Sequence, residues 1–91
     1  MCDIRVPAPD PTAALAELMP RLTTAVGPHG FIPEAGGYDW AHWVRQDDES
    51  VVLRAYASFR DGGLVSITMT GAPMPADVER EVPRVASSSA D

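Results

Sequence analysis

The chain has no lysine and no asparagine, a single cysteine, Cys2, and two histidines, His29 and His42. Each shortage removes a class of chemistry. Without lysine there is no Schiff-base nucleophile, no phosphate-loop lysine and no lysine general base. A lone cysteine excludes an internal disulfide framework. No apolar run approaches the ~20 residues of a membrane span. The N-terminus shows no basic segment followed by an apolar one, so no secretion signal is expected and the setting reads as cytoplasmic. Positive charge is scarce as well: 7 arginines face 13 carboxylates, for a net charge of −6. A generic nucleic-acid binder gains affinity by releasing counterions and needs the opposite balance. The missing Lys and Asn, beside abundant Ala, Arg, Pro, Gly and Val, match the usage of a GC-rich bacterial or phage genome, which concerns source rather than function.

What is present suits a small folded domain. Of the 91 residues, 45% are hydrophobic, too many for a disordered chain. A chain of this length buries about two-thirds of its unfolded surface. The expected organisation is one α+β domain over 1–85 with a small polar tail over 86–91. Asp10 is a good N-cap and Pro11 a good first helical residue. Leu15, Leu18, Met19, Leu22 and Val26 then recur on one helical stripe, with Glu17 and Arg21 paired four apart. Pro20 removes the bond to the Ala16 carbonyl and predicts a kink, and Gly27-Pro28 predicts the stop. Residues 28–37 carry so many breakers that they read as a loop pinned by Phe31 and Ile32. Strands are expected over 38–46, 51–60 and 64–71. A second helix within 72–85 would start at Pro75, bury Met74, Val78, Val82 and Val85, and end near Pro83. Ile4 and Val6, ahead of Pro7 and Pro9, leave room for a short N-terminal edge strand. The whole is a two-layer arrangement of helix, three-stranded antiparallel meander and helix.

Side-chain parity sets the expected strand registers. A three-residue loop, Asp61-Gly62-Gly63, pairs Phe59 with Val65 and gathers the apolar odd positions of the last two strands. A four-residue loop over 47–50 pairs Trp40 with Ala57 and places Tyr38, Trp40, His42 and Val44 on the core face. The outer face then carries Asp39, Ala41, Trp43 and Arg45 beside Val52, Arg54, Tyr56, Ser58 and Arg60. Trp43 would lie opposite Arg54, with Tyr56 on the diagonal. Trp, Tyr and Arg are the residues that dominate binding hot spots, and Arg over an aromatic ring gains about 0.5–1 kcal/mol at an exposed site. The candidate partner-binding residues are therefore Trp43, Arg45, Arg54, Tyr56 and Arg60, and the expected function is a small non-catalytic interaction domain that binds a protein partner or a second copy. A plainer reading is a self-contained cross-strand cluster, or a face covered by another element.

Two alternatives stand beside it. Asp47, Asp48 and Glu49 in a turn, with Asp77, Glu79 and Glu81 on the second helix, would suit an acidic decoy that docks on a basic protein surface. A small enzyme or ligand-binding domain would place its pocket between the 28–37 loop and the sheet, with His29 the first residue to test. No G-x-S-x-G, no C-x-x-C and no His pair four apart occurs. Gly36-Gly37 and Gly62-Gly63 open no helix that would cradle phosphate. No catalytic residue, metal site or cofactor is assigned, and no membrane or nucleic-acid partner is expected. The order of elements resembles that of double-stranded-RNA-binding domains, but their second helix is basic, whereas here Asp77, Glu79 and Glu81 outnumber Arg80 and Arg84.

Overall fold

In a computed structural model, the structure describes residues 2–81. The expectations for Val82, Pro83, Val85 and the 86–91 tail lie outside them. Chain order is β1 (Cys2–Pro7), α1 (Pro11–Val26), β2 (Phe31–Gly36), β3 (Trp40–Arg45), β4 (Asp48–Ser58) and β5 (Leu64–Thr70). A further helical stretch, α2, covers 76–81. The five strands form one sheet in the order β1-β5-β4-β3-β2, with every neighbouring pair antiparallel.

The fold is mixed α+β, with five strands where three were expected. β1 is the N-terminal strand, and it lies at one edge beside β5. β2 is the larger correction, because it arises from the segment read as a loop. Its breakers are tolerated at the other edge, where the outward backbone needs no ladder partner, and a bulge between Pro33 and Ala35 absorbs the irregularity. Buried Phe31 anchors the strand's start. With one strand before α1 and four after it, the element order no longer matches that of double-stranded-RNA-binding domains.

α1 follows its sequence signals closely. The Asp10 carboxylate accepts from the Ala13 backbone N–H at 3.2 Å, and Pro11 opens the first turn. Ala14, Leu15, Leu18, Leu22 and Val26 are buried against the sheet. The helix runs unbroken through Pro20. Both Pro20 and Ala16 are exposed, so water can take the carbonyl that proline leaves unpaired. The α-helix stops where Gly27-Pro28 predicts, with Gly27 as its C-cap, and Gly27–His29 form a 3₁₀ turn before the chain reverses at Gly30. Arg21 reaches Glu81 of α2 at 3.4 Å rather than Glu17. Met74 and Val78 join the same core, so both helices lie on one face of the sheet.

Both hairpins depart from their expected registers. Ala57 pairs with Val65 and Leu53 with Met69, a shift of two residues that keeps the faces. The connection from β4 to β5 is correspondingly longer, and Phe59 is exposed instead of core-facing. Gly63 sits there at φ +105°, and a Cβ on it would collide with the Ala8 carbonyl oxygen that packs against the turn. The β3–β4 register moves by one residue: Trp43 pairs with Leu53 and Ala41 with Ala55. Because side chains alternate, a one-residue slip exchanges the faces. Ala41 and Trp43 point into the core, while Trp40 and His42 point out. The slip is made by a tight turn in which Arg45 pairs with Asp48, with an irregularity before Val44 rejoins Val52.

Trp43 is 2% exposed. Its indole Nε1–H donates to Thr23 Oγ1 of α1 at 3.0 Å, and the Thr23 hydroxyl donates in turn to the Met19 carbonyl at 3.0 Å. Replacing Trp43 with alanine is expected to remove about 3–5 kcal/mol of stability, a large part of the roughly 5–14 kcal/mol typical of a domain this size. Thr23→Val, which orphans the indole N–H, is expected to cost about 1–3 kcal/mol. Denaturant unfolding of the two variants checks both.

Candidate functional site

The face of the sheet opposite α1 is built in cross-strand rows. His42 pairs with Arg54, Arg54 with Thr68 and Thr68 with Asp3. In the next row Trp40 pairs with Tyr56, Tyr56 with Ser66 and Ser66 with Arg5. A more apolar row of Ile32, Val44 and Val52 lies on the other side of His42. Both helices bury their apolar residues on the opposite side, and no described element covers these rows. Trp40 is 39% and Tyr56 40% exposed. The Trp40 and His42 rings meet edge to face, with centroids 5.0 Å apart at 63°, a favoured geometry for aromatic pairs. The turn before β3 is closed by the Gly37 N–H donating to the Trp40 carbonyl at 2.9 Å. A Cβ at Gly37 would collide with the Trp40 indole nitrogen, so glycine is what lets the ring lie against this turn.

The five candidate residues separate. Trp43 is removed from the surface, for the parity reason already given. Arg45 is held in the β3–β4 turn, its guanidinium 2.6 Å from Asp47 and 3.8 Å from Asp48. Arg54 and Tyr56 stand on the open face as expected. Arg60 is exposed in the 3₁₀ turn beyond β4. Arg5 is tied to Asp3 at 3.1 Å, Arg21 to Glu81 and Arg80 to Asp77. Among the described residues, Arg54 and Arg60 are the arginines that make no ion pair.

Trp40, His42 and Arg5 are the face residues that sequence reasoning missed. The signal for Trp40 was Gly37, whose lack of a side chain makes room for a large ring beside the turn. The face's fixed charges are Arg5 and Arg54 against Asp3, whose carboxylate is engaged by Arg5 and by the Thr68 hydroxyl at 3.1 Å.

The residues of the alternative readings lie elsewhere. Asp47 and Asp48 are partly neutralised by Arg45, Asp77 by Arg80 and Glu81 by Arg21. The His29 imidazole lies 3.5 Å from the Asp77 carboxylate on the helical side of the molecule. A shallow hollow of about 260 Å³ does lie between α1, β2 and β3, lined by Met19, Thr23, Pro33, Ala35 and Trp43 among others, but His29 is not part of it. Among the described residues, no group of three His, Cys, Asp or Glu side chains is placed to hold a metal ion. No described helix is long and apolar enough to cross a membrane. Compared with protein-family models, with curated proteins and with solved structures, the chain matches none.

One carboxylate is electrostatically set apart. The Ser50 hydroxyl and backbone N–H both donate to Asp48, at 2.6 and 3.1 Å, and hold its pKa below the ordinary 3.8, with Arg45 adding a weaker pull in the same direction. A depressed folded-state pKa stabilises the hairpin above the unfolded value, and that stabilisation is lost as pH falls through the folded value. In Ser50→Ala the Asp48 titration should move up toward 3.8 and the acid sensitivity of the hairpin should shrink, as followed by carboxyl NMR titration. An unchanged Asp48 titration would count against the Ser50 contacts as the cause.

Proposed function

We propose that this chain is a small, cytoplasmic, non-catalytic interaction domain, an adaptor, inhibitor or accessory protein, that docks a protein partner on the open face of its sheet. One observation carries the reading. Trp40 and Tyr56 stand opposite each other, half-exposed, beside an Arg54 that makes no ion pair, on a face no described element covers. Buried aromatic and arginine anchors dominate the energy of protein interfaces, and an exposed guanidinium can donate two parallel hydrogen bonds to a carboxylate.

The charge of the face favours a partner that is not a second copy. A two-fold interface brings the same patch together with itself. Here that would gather two copies each of Arg54 and Arg5 into one interface, while the face's carboxylate, Asp3, is already engaged within it. The partner surface that fits presents carboxylates around an apolar centre. Its binding residues on this chain are Trp40, Tyr56 and Arg54, with Arg60 at the rim.

Affinity capture from extract of the native cell, quantified by titration of the captured protein, tests this. Trp40→Ala and Tyr56→Ala are each expected to weaken the complex by about thirtyfold or more, while the doubly neutralised turn Asp47→Asn, Glu49→Gln leaves it unchanged. The complex should persist at about 1 M salt, where screening reduces charge steering to about 3 Å. Loss of binding in the turn variant with retention in Trp40→Ala would favour the acidic-decoy reading. Concentration-dependent dimerisation abolished by Trp40→Ala would replace the partner with a second copy.

A further inference from the structure

The sheet has two edges, and they differ. β2 closes one of them with Pro33 in mid-strand and a bulge before Ala35, and both features blunt an edge against further pairing. β1 forms the other. It pairs with β5 over all 6 of its residues without a register shift, and no described strand lies beyond it. A straight edge strand presents a row of unpaired N–H and C=O groups that can template another strand.

Which groups point outward follows from the ladder. The Ala8 N–H donates to the Gly63 carbonyl at 3.0 Å, which continues the β1–β5 register by one residue. In an antiparallel ladder such hydrogen-bonded pairs alternate with pairs whose backbone groups turn away. Val6 and Ile4 therefore bond inward to Val65 and Ile67, while Arg5 and Asp3 turn their N–H and C=O groups to the free edge. The Ala57 N–H donates to the Asp39 carbonyl at 2.8 Å and gives the same parity when counted across β4 and β5. Pro7, next in the outward series, has no N–H to leave unpaired and ends the free edge. The side chains alternate as well. Ile4 and Val6 pack half-buried against the rim of the core, and Asp3 and Arg5 are exposed.

We infer that β1 pairs antiparallel with β1 of a second copy, Ile4 meeting its own copy on the two-fold axis. Three registers centred within the strand would use the outward groups: Asp3 opposite Asp3, Arg5 opposite Arg5, or Asp3 opposite Arg5. The first two set like charges across the ladder, and the second also sets Asp3 against Pro7, which cannot donate. In the third, each Asp3 faces the Arg5 of the other copy, and the two-fold repeats the match. Each such pair exchanges both of its N–H···O=C bonds. The ion pair within each chain survives: Arg5 uses Nε on Asp3 and keeps its terminal amino groups, and a carboxylate has about four acceptor sites. Ile4 and Val6 of the two copies then cover one another along the rim of the core. The contact is edge to edge, so it leaves the open face to the docking partner and does not rest on that reading.

Strand pairing alone makes a small interface, so the dimer is expected to be weak and concentration-dependent. Sedimentation equilibrium of the full chain from about 10 μM to about 1 mM tests it, near 0.15 M salt so that the net charge of −6 is screened. Self-association is expected across that range. Asp3→Arg and Arg5→Asp should each weaken it about tenfold or more, since each sets like charges opposite one another. An equimolar mixture of the two variants should associate as well as the parent, because every Arg then faces an Asp. In chains carrying Cys2→Ser, Ile4→Cys should give a disulfide-linked dimer on mild oxidation, the two-fold pair being about 4.5 Å apart between Cα atoms. Val6→Cys should not, its copies lying about 13 Å apart. The Asp3 and Arg5 amides should exchange with solvent freely in dilute protein and slowly at high concentration, with those of Ile4 and Val6 protected at both. A chain that stays monomeric to about 1 mM, a mixture that does not regain association, or crosslinking of Val6→Cys in preference to Ile4→Cys would overturn the pairing. So would protected Asp3 and Arg5 amides in the dilute monomer, because the edge is then covered within the chain. Dimerisation kept in Asp3→Arg and lost in Trp40→Ala would overturn the edge as the contact and move it to the sheet face.

Discussion

The inward orientation of Trp43 is the constraint on which the rest of the structure depends. A strand has a period of two, so once one side chain is committed to the core, its neighbours are committed to the opposite face. Trp43 has what a buried indole requires: apolar Leu53 across the ladder and an acceptor for its N–H in Thr23 of α1. The small pair Ala41 and Ala55 beside it lets the helix approach the sheet. The hydrogen bond joins the two layers at β3, where helix and strand would otherwise be held by non-directional apolar contact alone. With Trp43 inside, Trp40 and His42 are forced out, and they meet Tyr56 and Arg54.

The outer face is therefore a by-product of core packing that retains a recognisable chemistry. Many of the acidic groups of the described residues gather at the β3–β4 turn and on α2, and several of them hold the arginines closest to them. Arg54 makes no ion pair among the described residues because Asp3, the carboxylate in its row, is engaged by Arg5 and the Thr68 hydroxyl. An acidic chain can in this way present a local surface that favours carboxylates.

Much of the fold was legible in the residues. The N-cap, the first-turn proline and the apolar stripe locate α1 to within a residue or two, and the stripe outweighs Pro20 because it continues on both sides of it. The faces of β4 and β5 were legible from strict alternation over many residues. β2 was not, since Pro33, Gly36 and Gly37 argue for a loop unless the strand is known to be an edge. β3 was ambiguous because both of its faces carry a tryptophan. Its expected parity rested on a four-residue loop over 47–50, whereas Arg45 pairs with Asp48 and only Gln46 and Asp47 lie between them. Two candidate residues on the open face, Arg54 and Tyr56, were found because they sit on β4. Trp43 and Arg45 were misplaced because they sit on β3.

Local pattern by itself determined the helix, the strand faces of β4 and β5, the mixed α+β class and the small, acidic, lysine-free surface. These depend on interactions between residues a few positions apart, whose periodicity is written directly in the chain. Only the tertiary structure decided the number of strands, the length of the turns and which tryptophan is buried. Those choices rest on contacts between distant segments, above all Thr23 with Trp43 and Trp43 with Leu53. A shift of one residue in the ladder leaves every local preference satisfied and still exchanges the core with the surface.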